Sequence, residues 1–314
     1  ADCGQRTIDA PALRHGLRRG GAIMSEHQKQ LQALRFWSGP IEATALGGGI
    51  TNVNYLVRDG ARKYVARLGH DIPVHQVMRF NELAASQAAH AAGISPAVRY
   101  HEPGVLILDY IDSKTLAAED VREPAMLERI LPLISCCHHT IPLHLRGPVL
   151  TFWVFHVVRD YAATLLEGGS RHSGRVPELL SLAEKLEQAS TPIDLVFGHN
   201  DLLPANFLDD GEQLWLIDWD YAGFNSPLFD LGGLASNNQL SEASEIWLLE
   251  QYFDQKISND LLHRYSAMKC ASLLRETMWS MVSELHSDLD FDYAAYTEEN
   301  LAGFQASYDL FLQS

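Results

Sequence analysis

Cysteine is scarce in this chain, and its spacing does not suggest a disulfide framework. Four of the 314 residues are cysteine (Cys3, Cys136, Cys137 and Cys270), and no C-x-x-C pattern occurs. Neighbours in the chain such as Cys136 and Cys137 rarely bond to each other. We therefore predict free thiols and a reducing, cytoplasmic location.

Long apolar runs and basic residues are also lacking. No run approaches the roughly 18 apolar residues of a membrane-spanning helix, so we predict no membrane insertion. The 24 Lys and Arg against 40 Asp and Glu give a formal net charge of -16. Such an acidic surface argues against nucleic acid or anionic membranes as partners and is compatible with a cationic substrate. Because 46% of the residues are hydrophobic, the chain can still build a core for two lobes.

Strand patterns dominate the first third of the chain. We predict a short helix at 28–37 and a long helix at 74–92. Apolar alternation and turn residues predict five strands, at 41–46, 53–58, 63–68, 97–100 and 105–110. Asp59-Gly60 between two of these runs is a strong signal for a hairpin.

Helical patterns dominate after residue 115. The predicted helices lie at about 124–139, 151–166, 177–189, 242–254, 258–285 and 293–312, and two short strand-like runs lie at 195–197 and 214–217. Strands followed by helices indicate an α+β chain in two lobes. We place the lobes at 25–110 and 111–314. Residues 1–24 end at the start signal Met24-Ser25-Glu26 and lack the apolar core of a secretory signal. We interpret them as a start-site artefact or a flexible leader without function.

One motif carries most of the chemistry. Asp201 and Asn206 lie in His199-Asn200-Asp201-Leu202-Leu203-Pro204-Ala205-Asn206, and Asp218 follows an apolar strand. Protein kinases use the same spacing, H-R-D-x-x-x-x-N followed by D-F-G, for phosphoryl transfer. We predict that Asp201 accepts a hydroxyl proton and that Asn206 and Asp218 hold Mg²⁺, which prefers oxygen ligands. Taken alone, Asp201 could equally form an ordinary Asx-turn.

Two further residues of this region are interpreted as structural. His199 can bind backbone through its ring and fix the turn, since kinase chemistry leaves it no proton to move. Asp230 can brace the catalytic loop by accepting backbone N–H groups, or it can cap a helix.

The nucleotide is expected to meet the first two strands. Gly47-Gly48-Gly49-Ile50-Thr51-Asn52 links them and can bring backbone N–H groups close to phosphate oxygens, although a glycine run is also a common flexible turn. Arg67 shares a strand face with Val65 and needs a partner, for which Glu82 on the next helix is the candidate. The alternative is a solvated surface pair.

Together these residues resemble the choline/ethanolamine kinase family, within the wider group that includes the aminoglycoside phosphotransferases. The resemblance runs from about Leu46 to Phe311 and is most specific at Gly198-His199-Asn200-Asp201 and at Ile217-Asp218-Trp219-Asp220-Tyr221, where choline kinases have I-D-F-E-Y. It implies a two-lobed protein-kinase-like fold with ATP in the cleft between the lobes. The nucleotide contacts that it implies are Gly48, Gly49, Thr51, Asn52, Arg67, Glu82 and, at the hinge, Asp109 and Ile111.

The resemblance also implies a pocket for an amine alcohol in the C-terminal lobe. Quaternary ammonium groups are held by aromatic rings and carboxylates, and the candidates are Trp219, Asp220, Tyr221, Glu276 and Trp279. Choline kinases have a W-x-x-W helix, and Glu276 stands at the first tryptophan position. A carboxylate there would favour a primary ammonium able to donate hydrogen bonds. Trp279 could instead be plain helix core.

The resulting hypothesis is an ATP- and Mg²⁺-dependent phosphotransferase acting on the hydroxyl of choline, ethanolamine or a similar cationic alcohol. Aminoglycosides, thiamine and other small molecules stay open as substrates. The acidic run 284–292, with Asp288, Asp290 and Asp292, is either a groove for a polycation or a solvated face. A nucleotide-binding regulator without turnover is a third possibility. We expect a monomer or a homodimer.

Overall fold

The chain folds into a sheet-rich N-terminal lobe followed by a helical C-terminal lobe. This is seen in a computed structural model that describes residues 20–47, 52–287, 289 and 291–314. The predicted α+β architecture is confirmed. Within the described ranges, no helix combines the length and the apolar character needed to cross a bilayer. The three cysteines in these ranges, Cys136, Cys137 and Cys270, are free thiols.

Five antiparallel strands form the sheet of the N-terminal lobe, as predicted. They are β1 (Ile41–Leu46), β2 (Val53–Asp59), β3 (Arg62–Leu68), β4 (Val98–Glu102) and β5 (Val105–Asp109), in the spatial order β1-β2-β3-β5-β4. The predicted hairpin joins β2 to β3, where Asp59 pairs with Arg62. Gly60 occupies the turn with φ +60°, a conformation that glycine adopts without a steric penalty.

The first helix, α1 (Gly20–Ala33), covers one face of this sheet. It starts before the predicted 28–37 and also ends earlier, so it crosses the expected boundary between leader and lobe. Its C-terminal limit has a packing cause: Phe36 and Trp37 turn back onto the sheet, and the Trp37 indole donates to the Leu31 carbonyl at 2.6 Å. The two rings thereby gain burial that a continued helix would deny them.

The second helix, α2 (Arg79–Ala91), is shorter than the predicted 74–92. The chain before it makes a tight loop, in which the Asp71 carboxylate accepts the Arg79 backbone N–H at 2.7 Å. His75 in this loop is buried against the C-terminal lobe, where its ring lies near Tyr161 and Ser283. Because His75 is docked into the other lobe, the residues before Arg79 form this loop and not the first turns of the predicted helix.

Eight helices of the C-terminal lobe are described: α3 (Ala118–Arg122), α4 (Pro124–His139), α5 (Val154–Glu167), α6 (Val176–Ala189), α7 (Pro227–Asn238), α8 (Glu242–Phe253), α9 (Asn259–His286) and α10 (Tyr293–Phe311). The six predicted helices occur within a few residues of their expected limits. The long helix α9 is central and packs against α5, α6, α7 and α10.

Helix α7 was not predicted, because its sequence contains two glycines that disfavour an isolated helix. The packing explains one of them. A side chain at Gly232 would place its first carbon 2.7 Å from the Lys269 Cα on α9, so only glycine permits this close helix contact.

Short strands hold the two motif segments. Strand β6 (Lys114–Thr115) pairs with β8 (Phe207–Asp209), which pairs with β9 (Leu214–Leu216). Strand β7 (Val196–Gly198) pairs with β10 (Gly223–Asn225). Asp201 therefore lies in the β7–β8 loop and Asp218 in the β9–β10 loop. Both loops are fixed at their two ends by sheet hydrogen bonds.

Candidate active site

The loop that carries Asp201 is held from below by a buried carboxylate. Asp230, on the first turn of α7, accepts the backbone N–H groups of His199 at 2.8 Å and Asn200 at 2.7 Å, and it also bonds the His138 ring at 3.0 Å. Burial alone would raise the pKa of Asp230, but the His138 contact and the backbone donors hold that pKa below its usual value. Asp230 thus lies where a brace would act, while Ser226 caps α7.

Asn200 ties the loop to the segment that follows Asp218. Its backbone is left-handed, with φ +64°, and its amide nitrogen donates to the carbonyls of Tyr221 at 3.0 Å and Gly223 at 3.1 Å. Asn225 donates in turn to the Asn200 side-chain oxygen at 3.0 Å. An arginine at this position could donate to the carbonyls but could not accept the bond from Asn225, since it offers no acceptor. Asn200 is therefore a structural linker in this chain.

His199 and Asn206 complete the connection between the two loops. The His199 ring bonds the Ile217 carbonyl at 2.9 Å, and the Ile217 N–H donates to the Asn206 carbonyl at 3.0 Å. The Asn206 side chain donates to the Asp201 carbonyl at 2.8 Å. Burial lowers the pKa of His199, which suits a neutral ring in a structural contact. Hydrogen bonds thus join Asp201 to Asn206, and Asn206 to Ile217, the residue before Asp218.

Asn206 and Asp218 offer oxygens of the kind that Mg²⁺ binds. The Asn206 amide nitrogen donates to the Asp201 carbonyl, so the Asn206 side-chain oxygen is the atom that could bind a metal, and the Asp218 side chain retains 31% exposure. No group of three or more His, Cys, Asp or Glu side chains in the described ranges could hold a metal ion. Two oxygen donors on neighbouring loops fit Mg²⁺ that would take its other ligands from substrate phosphates and water, the usual arrangement for this ion.

Asp218 is ionised by a buried arginine. The Arg67 guanidinium contacts Asp218 at 2.8 Å, Glu82 at 2.9 Å and Asp220 at 3.1 Å. Burial opposes the charge of Asp218, but Arg67 outweighs it and lowers the pKa of this carboxyl below its usual value. Arg67 and Glu82 form the pair that the sequence predicts, and it is buried rather than solvated.

The position of Asp220 corrects its predicted place among the substrate contacts. Its carboxylate is 2% exposed and bonds Arg67, Arg79 at 2.9 Å and the Asn52 amide at 3.0 Å. Arg79 also bonds Glu82 at 2.7 Å. Asp220 is drawn to this side because a buried carboxylate is stable only beside cations or hydrogen-bond donors. We call Arg67, Arg79, Glu82, Asp218 and Asp220 the arginine cluster.

Trp219 likewise does not line the cavity beside Asp201. It is 2% exposed, its indole donates to the Ser95 hydroxyl at 3.0 Å, and its ring lies 4.8 Å from that of His199. Asp218 has a left-handed backbone, with φ +69°, and this turn directs the following side chain into the core. Trp219 therefore packs beneath the loops instead of lining a pocket.

A small cavity beside Asp201 is the candidate acceptor site, which we call the acceptor cavity. Its lining includes Asp201, Phe229, Asn237, Ser272, Arg275 and Glu276. Desolvation raises the pKa of Asp201 to about 8, against a lowering by the charge of Arg275. A carboxylate with a raised pKa is a stronger proton acceptor than an ordinary aspartate.

The aromatic candidates lie behind this cavity. The Trp279 indole donates to the Tyr221 hydroxyl at 3.0 Å, and both side chains are less than 10% exposed. The Arg275 guanidinium lies 4.2 Å from the Tyr221 ring centroid and 2.9 Å from Glu276. Of the five predicted substrate contacts, Glu276 lines the acceptor cavity, Tyr221 adjoins it through Arg275, and Trp279 lies behind Tyr221.

Several predicted site residues do not line the acceptor cavity or fall outside the described residues. Gly48, Gly49 and Thr51 fall outside the described residues, as do Asp288 and Asp290 of the acidic run. Asp109 and Ile111 lie at the end of β5, where the chain passes to the second lobe, and the Asp109 carboxylate pairs with Arg99 at 2.6 Å. In the acidic run, Glu284 pairs with Arg171 at 2.8 Å, and Asp292 caps α10.

Sequence reasoning missed two arginines. Arg79 lies three residues before Glu82, a spacing that places both on one side of a helix and could have suggested the pair. Arg275 stands in the apolar stretch of α9, and a lone arginine in such a stretch signals a specific buried contact. His138 and Asn225 were also missed, since each acts through a partner distant in sequence.

A two-lobed fold with these linked loops defines a phosphotransferase of the protein-kinase-like class. The choline/ethanolamine kinase family profile matches residues 43–245. Protein LicA of Haemophilus influenzae is 29% identical over 260 residues, which cover 79% of this chain and 75% of that protein. Ethanolamine kinase 2 of Rattus norvegicus is 28% identical over 252 residues, covering 70% and 63%. A choline/ethanolamine kinase family protein from Mesorhizobium loti superposes with a TM-score of 0.73 at 27% identity, covering 91% and 94%. The chain belongs to the choline/ethanolamine kinase family.

Proposed function

We propose that this protein transfers the γ-phosphate of ATP to the hydroxyl of a small cationic amine alcohol of the choline and ethanolamine type. The observation that carries the proposal is the chemical contrast between two linked aspartates. Asp201 has a raised pKa and faces a cavity, whereas Asp218 is kept ionised by Arg67. The family and the ethanolamine kinases among the relatives support this class of acceptor.

In this mechanism the alcohol oxygen forms a bond to the γ-phosphorus while the bond from that phosphorus to the β–γ bridging oxygen breaks. ADP leaves, and the hydroxyl proton passes to Asp201. Positioning and charge neutralisation supply most of the catalysis in such transfers. When bound by Asn206 and Asp218, Mg²⁺ supplies positive charge to the phosphate oxygens. Arg67, oriented by Glu82, is suited to bind phosphate.

We also propose contacts between the protein and the nucleotide. Asn52 and Arg67 are held together through Asp220, so the start of β2 and the end of β3 meet the metal-binding loop. Adenine would lie toward the β5 end at Asp109 and Ile111. A cytoplasmic location and a monomer or homodimer stay predictions from the sequence.

The test is ADP release by the purified protein with Mg²⁺-ATP, across choline, ethanolamine, thiamine and an aminoglycoside. Asp201→Asn serves as the blank, because it keeps the side-chain size and removes the proton acceptor. Turnover with choline or ethanolamine, but not with the other two, supports the proposal. Turnover with thiamine or the aminoglycoside alone would reject the proposed acceptor class.

A further inference from the structure

The residues that line the acceptor cavity indicate which kind of amine alcohol it binds, a question that the family assignment leaves open. An amine alcohol whose hydroxyl meets Asp201 has its nitrogen only two carbons away. The groups that share the cavity with Asp201 therefore meet that nitrogen. Two of these groups, Arg275 and Glu276, are adjacent on α9 and form an ion pair at 2.9 Å.

One face of Tyr221 and one face of Trp279, which could each hold a methylated ammonium, are already covered. The guanidinium of Arg275 stacks 4.2 Å from the ring centroid of Tyr221 and 5.6 Å from that of Phe152. The indole of Trp279 faces the His75 ring, with 5.1 Å between centroids. A quaternary ammonium depends on such faces, since it has no N–H to donate. In this chain a protein cation takes the place on Tyr221 that such a ligand would need.

Glu276 offers what a primary ammonium needs. One carboxylate oxygen accepts from the Tyr296 hydroxyl at 2.8 Å and the other from Arg275. These two bonds fix the side chain, and a carboxylate has about four acceptor positions, so capacity remains for an ammonium. The side chain is 28% exposed, so it is accessible to a ligand.

The charges and the lining agree with this assignment. Three carboxyl groups, those of Asp201, Asp230 and Glu276, line the cavity with a single guanidinium, that of Arg275, so the lining suits a cationic ligand. Its polar lining includes Asn237 and Ser272, and Phe229 is the aromatic residue among the described residues that line it. A cavity of this kind solvates N–H groups better than it solvates methyl groups.

We propose that Arg275 and Glu276 make the acceptor cavity selective for an alcohol bearing a primary ammonium and act against one bearing a trimethylammonium. The inference rests on the proposed function and names the substrate class of the same site. Arg275 acts by covering Tyr221 and orienting Glu276, and Glu276 acts by accepting hydrogen bonds from the ammonium.

A methylation series tests the proposal on the unmodified protein. Ethanolamine, N-methylethanolamine, N,N-dimethylethanolamine and choline differ only in methyl groups on one nitrogen. We expect kcat/KM with Mg²⁺-ATP to fall at each methylation and by at least 100-fold across the series. Equal or higher kcat/KM with choline would overturn the inference while leaving the proposed function intact. No transfer to any of the four, with Mg²⁺-ATP still bound, would overturn the proposed function itself.

Two substitutions test the residues. Glu276→Gln keeps the shape of the side chain and should lower kcat/KM for ethanolamine at least tenfold while changing that for choline less than threefold. Arg275→Leu uncovers Tyr221 and should raise the choline-to-ethanolamine ratio at least tenfold. Arg264→Leu is the matched control, because it removes an arginine of the same helix that pairs with Asp260 away from the cavity. An unchanged ratio in Glu276→Gln would overturn the assignment, even if Arg275→Leu does not fold.

Discussion

Asp201 and Asp218 lie on neighbouring loops, yet their surroundings shift the pKa values of the two carboxyls in opposite directions. Asp201 meets the acceptor cavity, where desolvation outweighs the charge of Arg275 and raises the pKa to about 8. Asp218 is also desolvated, but Arg67 contacts it at 2.8 Å and lowers the pKa. The two environments separate a proton acceptor from a permanent anion, which is how paired carboxylates acquire different roles.

The arginines near the two aspartates also differ in their partners. In the arginine cluster, two guanidinium groups face three carboxylates, and the carboxylates of Glu82 and Asp220 are each shared between Arg67 and Arg79. Beside Asp201 a single guanidinium is divided among Glu276 and two aromatic rings. The nucleotide side is thus fixed by mutual charge pairing, while the acceptor side keeps one carboxylate without a direct ion pair among the described contacts.

The largest effect is expected for the proton acceptor. Asp201→Asn should lower kcat by about 10²–10⁴-fold, the usual contribution of general base catalysis, without loss of folding. Steady-state ADP release with ethanolamine measures it. Asp210→Asn is the control, since its side chain caps a surface turn through Glu212 and Gln213. Turnover of Asp201→Asn within threefold of the parent would remove Asp201 from this role.

Next in size is the loss of the central cation. Arg67→Met leaves three carboxylates facing Arg79 alone, and breaking a buried pair in this way costs about 3–5 kcal/mol. Urea unfolding measures the stability, and the KM for ATP should rise in any folded fraction. Arg67→Lys keeps the charge and should recover part of both effects. Equal stability of Arg67→Met and the parent would contradict the cluster as described.

A smaller effect is expected at the outer arginine. Arg79→Met should cost about 1–3 kcal/mol, because its side chain is 17% exposed and Arg67 still serves Glu82 and Asp220. A double-mutant cycle with Asp220→Asn should show a coupling energy of about 0.5–3 kcal/mol in urea unfolding. Strict additivity of the two substitutions would mean that Arg79 and Asp220 do not interact in solution.

The smallest effect concerns stability against pH. The pKa of Asp201 is raised on folding, so its favourable contribution is complete below the unfolded value near 4 and is lost as pH rises through about 8. Asp201→Asn should therefore gain stability relative to the parent as the pH rises from 5 to 9. The full shift sets an upper limit of about 5–6 kcal/mol, and partial exposure of Asp201 reduces the expected gain to about 1–2 kcal/mol. Thermal unfolding across this range measures it.

Asp218→Asn is the matched opposite of that experiment. Folding lowers the pKa of Asp218, so its contribution is present above the unfolded value and is lost as pH falls. The variant should be less stable than the parent at pH 7, and the difference should close toward pH 3. The same sign for both aspartates would refute the contrast between the two loops.

Local patterns were sufficient to predict the sheet, six helices and the placement of Asp201 beside Asn206, because periodicity, turns and motif spacing are local properties. The arginine cluster and the acceptor cavity depend on residues far apart in sequence, such as Asp220 and Arg79. Trp219 and Asp220 were placed with the substrate because a linear motif does not reveal a left-handed turn at Asp218. Helix α7 was not predicted because its glycines disfavour a helix in the sequence, whereas in the fold they permit a close contact with α9.

The most direct test of the division between the two aspartates is Mg²⁺-ATP binding by titration calorimetry to the parent, Asp201→Asn and Asp218→Asn. We expect Asp201→Asn to bind within twofold of the parent while transferring phosphate at least about 100-fold more slowly, and Asp218→Asn to bind at least tenfold more weakly. Equal loss of binding in both variants would contradict the assignment of Asp201 to the acceptor and Asp218 to the nucleotide.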